Sequence, residues 1–492
     1  MRDFIAILKK TEPIVRWSAL LVLLYLIPSF QAMLPIDDPD IWWRLRTGEW
    51  IVENHAVPVK DFLSTQSAGK PWIEYSWAFE ALVYALHAKF GLLGLLYFVV
   101  AMALIIAFAT HMLVRRAHLP FSLEIALVAL ALAGMKGLMT PRPWLFTILF
   151  FSIELTIIAE ARHSNNNRIL WILPVLFFLW ANVHIQFIYG LAALFLLLAD
   201  AFLATYGASI GYKTTVPYYL VPKQLLLVAL ICIGATMLTP YHYLLYQQIF
   251  EYTGLSGAFQ NIAELLPMFF RSPDNWIVLF LTLTAAFVLG WQRTWLPYHT
   301  SLLLMGAFVA FRVRRDAWFL LIVAVWIISD RLRPSHHVNS FQLSSRQIVI
   351  SAVAVGLAIY FLAIHRQITE EHLQTEVETQ YPLKAVSYVK SNKLSGPLFN
   401  DYDWGGFLIW SLRELPVSVD GRLNLYGDEG LGRSLNTWRG GPHWDSDSNL
   451  LKANLIIAQK DRPLTSLLRL HPHYKIVYED NISAVIVRIR RN

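Results

Sequence analysis

The chain alternates long apolar runs with short polar breaks. A hydrocarbon layer roughly 30 Å thick needs about 20 helical residues, and backbone polar groups inside it must be satisfied within the segment. About eleven windows meet that length: 14–34, 91–114, 122–139, 143–161, 168–183, 187–206, 223–239, 275–292, 297–311, 316–330 and 346–365. The first is longer than a signal-peptide core, lacks a small-residue cleavage site and runs directly into an acidic segment. It therefore reads as a retained helix.

The pattern changes near residue 367. The segment "HRQITEEHLQTEVETQYPLKAVSYVKSN" is polar, and its second half has helical spacing. Short β-like runs follow at "GPLFN", "PVSVDG", "ANLIIA", "YKIVYED" and "ISAVIVRI", with a helix at "RPLTSLLRL". The expected fold class is an α-helical polytopic membrane protein of about 11 transmembrane helices with a small C-terminal α/β soluble domain. Residues 1–366 form the membrane domain and 367–492 the soluble one. Two loops look structured: 35–90, where 72–90 reads as an interfacial helix carrying Glu74, Glu80, His87 and Lys89, and 240–274, which mixes tyrosines with Glu251, Glu264 and Asp274 and suits a loop folded over a cavity.

Composition agrees. Of 492 residues 56% are hydrophobic and only 15% charged, which excludes an ordinary soluble protein. The single cysteine, Cys232, lies in an apolar window, so an intramolecular disulfide and a thiolate metal cluster are both excluded. The net charge of +7 suggests nucleic acid less than membrane lipids, because the basic residues gather beside apolar spans. Arg2, Lys9, Lys10, Arg16, Arg115, Arg116, Arg162, Arg168, Lys213, Lys223, Arg293, Arg331, Arg333 and Arg346 fall on one side of the alternation. That side is the cytoplasm. The protein is thus expected in the cytoplasmic (inner) membrane, with the N-terminus cytoplasmic and the C-terminal domain periplasmic or extracellular.

Several outside segments carry chemistry. "PIDDPDIWWRLRTGEW" (35–50) concentrates acids and tryptophans. Asp38 suits an N-cap, Pro39 the first helical position and Asp40 the first turn, while Asp40 and Arg44 stand four apart and Trp42, Trp43 and Trp50 suit an interfacial belt. Arg312, Arg314 and Arg315 crowd an external turn against the charge bias, either by snorkelling to lipid headgroups or as an anion site. Arg142 lies between two prolines at a helix start. Asn182, His184 and Gln186 fit both interhelical hydrogen bonding and ligand contact. In "FNDYDWGGFLIW", Asp401, Asp403 and Trp404 suit either a capped turn or sugar hydroxyls and stacking, and "VDGR" at 419–422 is first a turn signal.

An external loop with an Asp-x-Asp-like element, aromatic pairs and arginine resembles the GT-C class of polytopic glycosyltransferases. "DPDIWWRLR" is similar to the start of that loop in oligosaccharyltransferase catalytic subunits. "TPRPWLFTILFF", "WANVHIQFIYG", "TPYHYLLY", "RVRRDAWFLL", "FNDYDWGGFLIW" and "VDGRLNLYGDEG" extend the likeness toward a group of large bacterial membrane proteins near that class. The resemblance implies inverting transfer of a sugar or glycan from a polyprenyl-phosphate or polyprenyl-diphosphate donor to a glycan, lipid or protein acceptor on the outer face. It makes Asp40 and Asp38 candidates for the general base and Arg312, Arg314, Arg315 and Arg142 candidates for the donor phosphate. Asn182, His184, Gln186, Glu264, Asp401, Asp403 and Trp404 become acceptor or sugar contacts. A divalent cation, Mg2+ or Mn2+, would fall to Asp40 and Glu264. The tail departs from the oligosaccharyltransferase WWD-type element, since "DYDWGG" shares its residues but not their order. Two other functions fit the same class of chain: a lipid-linked glycan transporter or flippase, which should show polar residues deep within several spans, and a non-catalytic cell-envelope glycan assembly factor.

Overall fold

Helices form where the apolar runs predict them. The computed structural model describes residues 21–22, 24–33, 37–164, 166–207, 220–254, 256–291, 295–334 and 345–489. The later windows fall in Trp77–Arg115, Phe121–Gly134, Asn167–Val183, Trp144–His163, Phe187–Tyr206, Pro222–Thr236, Pro273–Trp291, Pro297–Arg312, Ala317–Arg331 and Ser345–His365. Positions 21–22 and 24–32 of the first window are also helical. Arg2, Lys9, Lys10, Arg16, Lys213 and Arg293, which helped to set the orientation, lie outside the described residues. Among the described residues, Trp77–Arg115, Trp144–His163, Phe187–Tyr206, Pro273–Trp291 and Ile348–His365 are long and apolar enough to cross a membrane. Phe121–Gly134, Asn167–Val183 and Pro222–Thr236 are apolar but shorter. The chain is a multi-pass membrane protein.

Contacts divide it into two units. The first takes in the chain up to residue 34, 96–239 and 263–368. Its centre is the helix Ala317–Arg331, buried at every position from Ala317 to Ser329 because it is apolar on all sides. It packs on Phe121–Gly134, Trp144–His163, Pro273–Trp291 and Pro297–Arg312. Phe151 stacks on Phe319 with ring centroids 4.5 Å apart. The helix Ser345–His365, by contrast, exposes Ile348, Val353, Leu357 and Phe361, as a lipid-facing helix does.

The second unit joins residues 35–95, 240–262 and 369–492. The first loop is therefore grouped by contacts with the tail, whereas the sequence pattern assigns it to the membrane part. A four-stranded sheet has the order β1 (Leu398–Asn400), β2 (Leu455–Gln459), β4 (Ser483–Arg488), β3 (Tyr474–Glu479). β1 and β2 are parallel, and β4 runs antiparallel to both β2 and β3. Phe399, Ile456, Ile486, Trp438 and the apolar face of the helix Pro463–Leu470 form its core. "PVSVDG" is not a strand of this sheet. Val417 instead bridges Ser64, taking the Thr65 N–H at 2.8 Å and donating to the Leu63 carbonyl at 3.1 Å.

The amphipathic run 72–90 is set apart from the apolar span behind it. The helix Trp77–Arg115 breaks at Gly91, where φ is 63° and ψ −150°, a conformation cheap only for glycine. Glu370 accepts the N–H groups of Leu92 and Leu93, each at 3.0 Å, so the renewed helix has its orphan donors satisfied by a carboxylate.

Candidate functional site

In the first loop the helix Ile41–Asn54 begins two residues later than the Asp38-Pro39 signal predicts, with Asp40 at the N-cap position. Asp38 still caps the turn: its Oδ1 accepts the Asp40 N–H at 3.0 Å, and the residue is buried. Asp40 is half-buried, and its Oδ1 accepts the Trp43 indole N–H at 3.1 Å. The anticipated Asp40–Arg44 pair does not form. Arg44 points inward to Glu80 at 3.1 Å, because that buried carboxylate offers it a desolvated partner. Beside this pair lies Glu74, whose carboxyl burial pushes up against the pull of Arg44. Nor do Trp42 and Trp43 form an interfacial belt. Both are buried: Trp42 meets Tyr381 and Phe407 edge-on at 5.5 and 5.3 Å, and Trp43 meets Trp72 at 6.5 Å.

Two glycines, Gly406 and Gly421, let backbone segments close on this helix start, and Gly405 lets its own segment close on the turn that carries Gly421. A Cβ on Gly406 would stand 2.3 Å from the Pro39 carbonyl oxygen, one on Gly405 2.1 Å from that of Val419, and one on Gly421 1.8 Å from Asp40 Oδ1. The Asp40 carboxylate therefore rests directly against the Gly421 backbone. The turn that carries Gly421 is held by a buried ionic network. Arg422 forks onto Asp420, Nε to Oδ1 at 2.9 Å and Nη2 to Oδ2 at 2.7 Å, while Nη1 reaches Asp61 at 2.7 Å. Ser64 and Ser67 donate to Asp61 Oδ2, Tyr426 donates to Asp420, and the Trp72 ring lies 4.5 Å from the guanidinium carbon. Burial pushes the Asp61 carboxyl up, but Arg422, the two serines and the Leu63 N–H outweigh it and hold it below its ordinary value. Burial likewise works against the Arg422 cation and is outweighed by Asp420, Tyr426 and Asp61.

The first unit carries a second constellation. The Trp144 ring lies 5.1 Å from the Arg142 guanidinium and 6.0 Å from that of Arg315. Arg315 donates to Glu264 at 3.1 Å, with Asp316 3.9 Å away. Asp316 is buried and accepts from Gln186 at 2.8 Å and from the Tyr189 hydroxyl at 2.7 Å. Arg312 and Arg314 are exposed, Arg312 lying 5.9 Å over the Phe308 ring and Arg314 giving its backbone N–H to the Leu266 carbonyl. His184 shares a 2.7 Å hydrogen bond with Thr147, which also receives the Trp180 indole N–H. Asn182 donates to the carbonyls of Phe178 and Leu238. Of the residues the sequence singled out, Arg142, Arg315, Glu264 and Gln186 are thus brought together.

The tail candidates are engaged in structure. Asp401 is buried, accepts the Asp403 N–H and pairs with Arg462 at 2.6 Å. Burial raises its carboxyl against the pull of Arg462. Asp403 takes the other arm of Arg462 at 2.7 Å, and the buried Trp404 donates to the Gln380 carbonyl. As for a divalent cation, Glu264 is committed to Arg315, and the described residues hold no group of three or more His, Cys, Asp or Glu placed to bind one.

No protein-family profile and no curated protein matches the sequence. Among solved structures, the chain is similar to the archaeal oligosaccharyltransferase AglB from Archaeoglobus fulgidus, determined in complex with an inhibitory peptide and a dolichol-phosphate. Identity is 13%, the match covers 92% of this chain and 70% of that one, and the TM-score is 0.55. The chain has a GT-C membrane fold. ArnT from Cupriavidus metallidurans, bound to undecaprenyl phosphate, matches 97% of this chain and 98% of its own at 13% identity and a TM-score of 0.47.

On this GT-C fold, Asp40 is a half-buried carboxylate bound to the Trp43 indole. Sequence reasoning missed Asp61, Asp316, Tyr189 and Tyr426. Only the Arg-Arg-Asp run hinted at Asp316.

Proposed function

We propose that the protein is a membrane glycosyltransferase that moves a sugar or glycan from a polyprenyl-phosphate or polyprenyl-diphosphate donor to an acceptor at the outer face of the cytoplasmic membrane. The observation that carries the reading is Asp40: in a GT-C fold, the first loop presents a half-buried carboxylate held between the Trp43 indole and the Gly421 backbone. Asp40 takes the proton of the acceptor hydroxyl as its oxygen attacks the anomeric carbon. The bond from that carbon to the phosphate oxygen breaks, and its electron pair leaves with the phosphate, inverting the centre. Asp38, buried and bound to the turn, orients Asp40 rather than meeting the acceptor.

Arg314 and Arg312 carry the charge for the leaving phosphate, with Arg142 beside Trp144. Arg315 is already paired with Glu264, which holds it back from the phosphate. The acceptor is a hydroxyl-bearing glycan, lipid or protein.

The test is transfer of radiolabelled mannose from undecaprenyl phosphate, and of radiolabelled N-acetylglucosamine from undecaprenyl diphosphate, by the purified full chain supplied with membranes as acceptor. Asp40→Asn should lower turnover by about 10²–10⁴-fold, the range for a lost general base. Full turnover by that variant rules out Asp40 as the base.

A further inference from the structure

The network around Arg422 is built more heavily than a surface turn requires. Three charged side chains, Asp61, Asp420 and Arg422, are buried together, at 2%, 0% and 3% exposure. Arg422 bonds to both carboxylates, Asp61 also accepts from Ser64, Ser67 and the Leu63 N–H, and Asp420 also accepts from Tyr426 and the Arg422 N–H. Buried ion pairs seldom add net stability over apolar packing, so fixing one geometry is the better-attested use of such an arrangement. What the fixed turn touches is Asp40: the place of a Gly421 Cβ is 1.8 Å from Oδ1, 2.8 Å from Cγ and 3.3 Å from Oδ2.

We propose that Arg422 is a positioning residue. With Asp420 and Asp61 it locks the turn, so that the Gly421 backbone holds the Asp40 carboxylate in the orientation that keeps its bond to the Trp43 indole. The catalytic consequence rests on Asp40 being the base, as proposed above. The positional one does not.

Both can be read separately in the full chain. The Trp43 indole N–H resonance, assigned with nitrogen-labelled tryptophan by its loss in Trp43→Phe, reports the bond to Asp40. Asp40→Asn sets the position it takes when the carboxylate charge is removed. Gly421→Ala, whose methyl has no room beside Asp40, should move the resonance at least half that far. In the mannose transfer assay it should lower kcat about 10²-fold with donor KM within twofold, the signature of a misplaced reacting group.

A resonance that stays at its wild-type position in Gly421→Ala overturns the positioning. If Gly421→Ala is not monodisperse, Asp61→Asn decides in the same way, movement supporting the relay through Arg422 and no movement refuting it. A shifted resonance with unchanged kcat, in an enzyme that Asp40→Asn inactivates, refutes the catalytic consequence alone. Full turnover by Asp40→Asn strikes at the assigned function and leaves the positioning standing.

Discussion

Replacing Arg422 by methionine should open the turn it holds. The side chain is 1% exposed and pairs with Asp61 and Asp420, so its loss strands two buried carboxylates. Removing one partner of a buried pair costs about 3–5 kcal/mol. Asp61 keeps its serines and Asp420 its tyrosine, while methionine restores part of the packing on Trp72, which places the cost near 4 kcal/mol rather than above it. At about 1.4 kcal/mol per decade that is roughly 10³-fold faster amide exchange in peptides covering 60–70 and 417–426, if they open locally. Hydrogen exchange read by mass spectrometry measures both peptides in the intact protein. Arg469→Ala is the comparison: its side chain is 48% exposed and that of its partner Glu479 25%, and the cost there should be about 1 kcal/mol or less. Exchange at 60–70 within tenfold of wild type would refute the claim that Arg422 clamps the loop.

Undecaprenyl phosphate binding, followed by native mass spectrometry, should weaken about tenfold in Arg314→Ala; in Glu264→Gln, which releases Arg315 from its carboxylate, it should strengthen severalfold. Equal affinity in wild type and Arg314→Ala would remove that arginine from the donor site. The second unit should also have a bounded pH range. Asp61 is held below its ordinary value, so its contribution is complete above about pH 4 and is lost as pH falls through the lowered folded value. Glu74 is raised, so its contribution is complete below about pH 4 and is lost as pH rises through the raised folded value. Glu74→Gln should lessen the loss on the rising side, where the adjoining buried Glu80 is raised as well, and Asp61→Asn should lessen the loss on the acid side, as read from exchange protection across pH.

The membrane part was legible because apolar length is a local property. Among the described residues, each window from 91 onward falls mostly on helix, and the amphipathic run 72–90 ends at Gly91. The strands of the tail were legible too, from β-rich runs between turn signals, and so was the helix Pro463–Leu470. "PVSVDG" misled because Val417 pairs with residues 63–65, and nothing near either segment announces the other. Trp42 and Trp43 misled for a related reason: a tryptophan beside an apolar span suits the interface, unless a distant Tyr381 and Phe407 bury it. The site was half readable. Asp40 stood out by its neighbours, but the residues that position it are an aspartate in a plain loop and a "DGR" turn, each ordinary alone. The grouping of Arg142, Arg315, Glu264 and Gln186 likewise depends on Asp316 and Tyr189, which only packing reveals.

The bond between Arg422 and Asp61 also has a schedule. The two residues are 361 apart in the chain. At about 5–20 residues per second, a ribosome that has just released Asp61 makes the matching guanidinium about 20–70 s later. During that interval the first loop exists without its counter-charge, while span after span is threaded into the bilayer. A message cut short before codon 422 would therefore yield a protein whose helices are inserted and whose first loop is never closed. Quality control that senses this loop would be checking, at one spot, that translation passed residue 422.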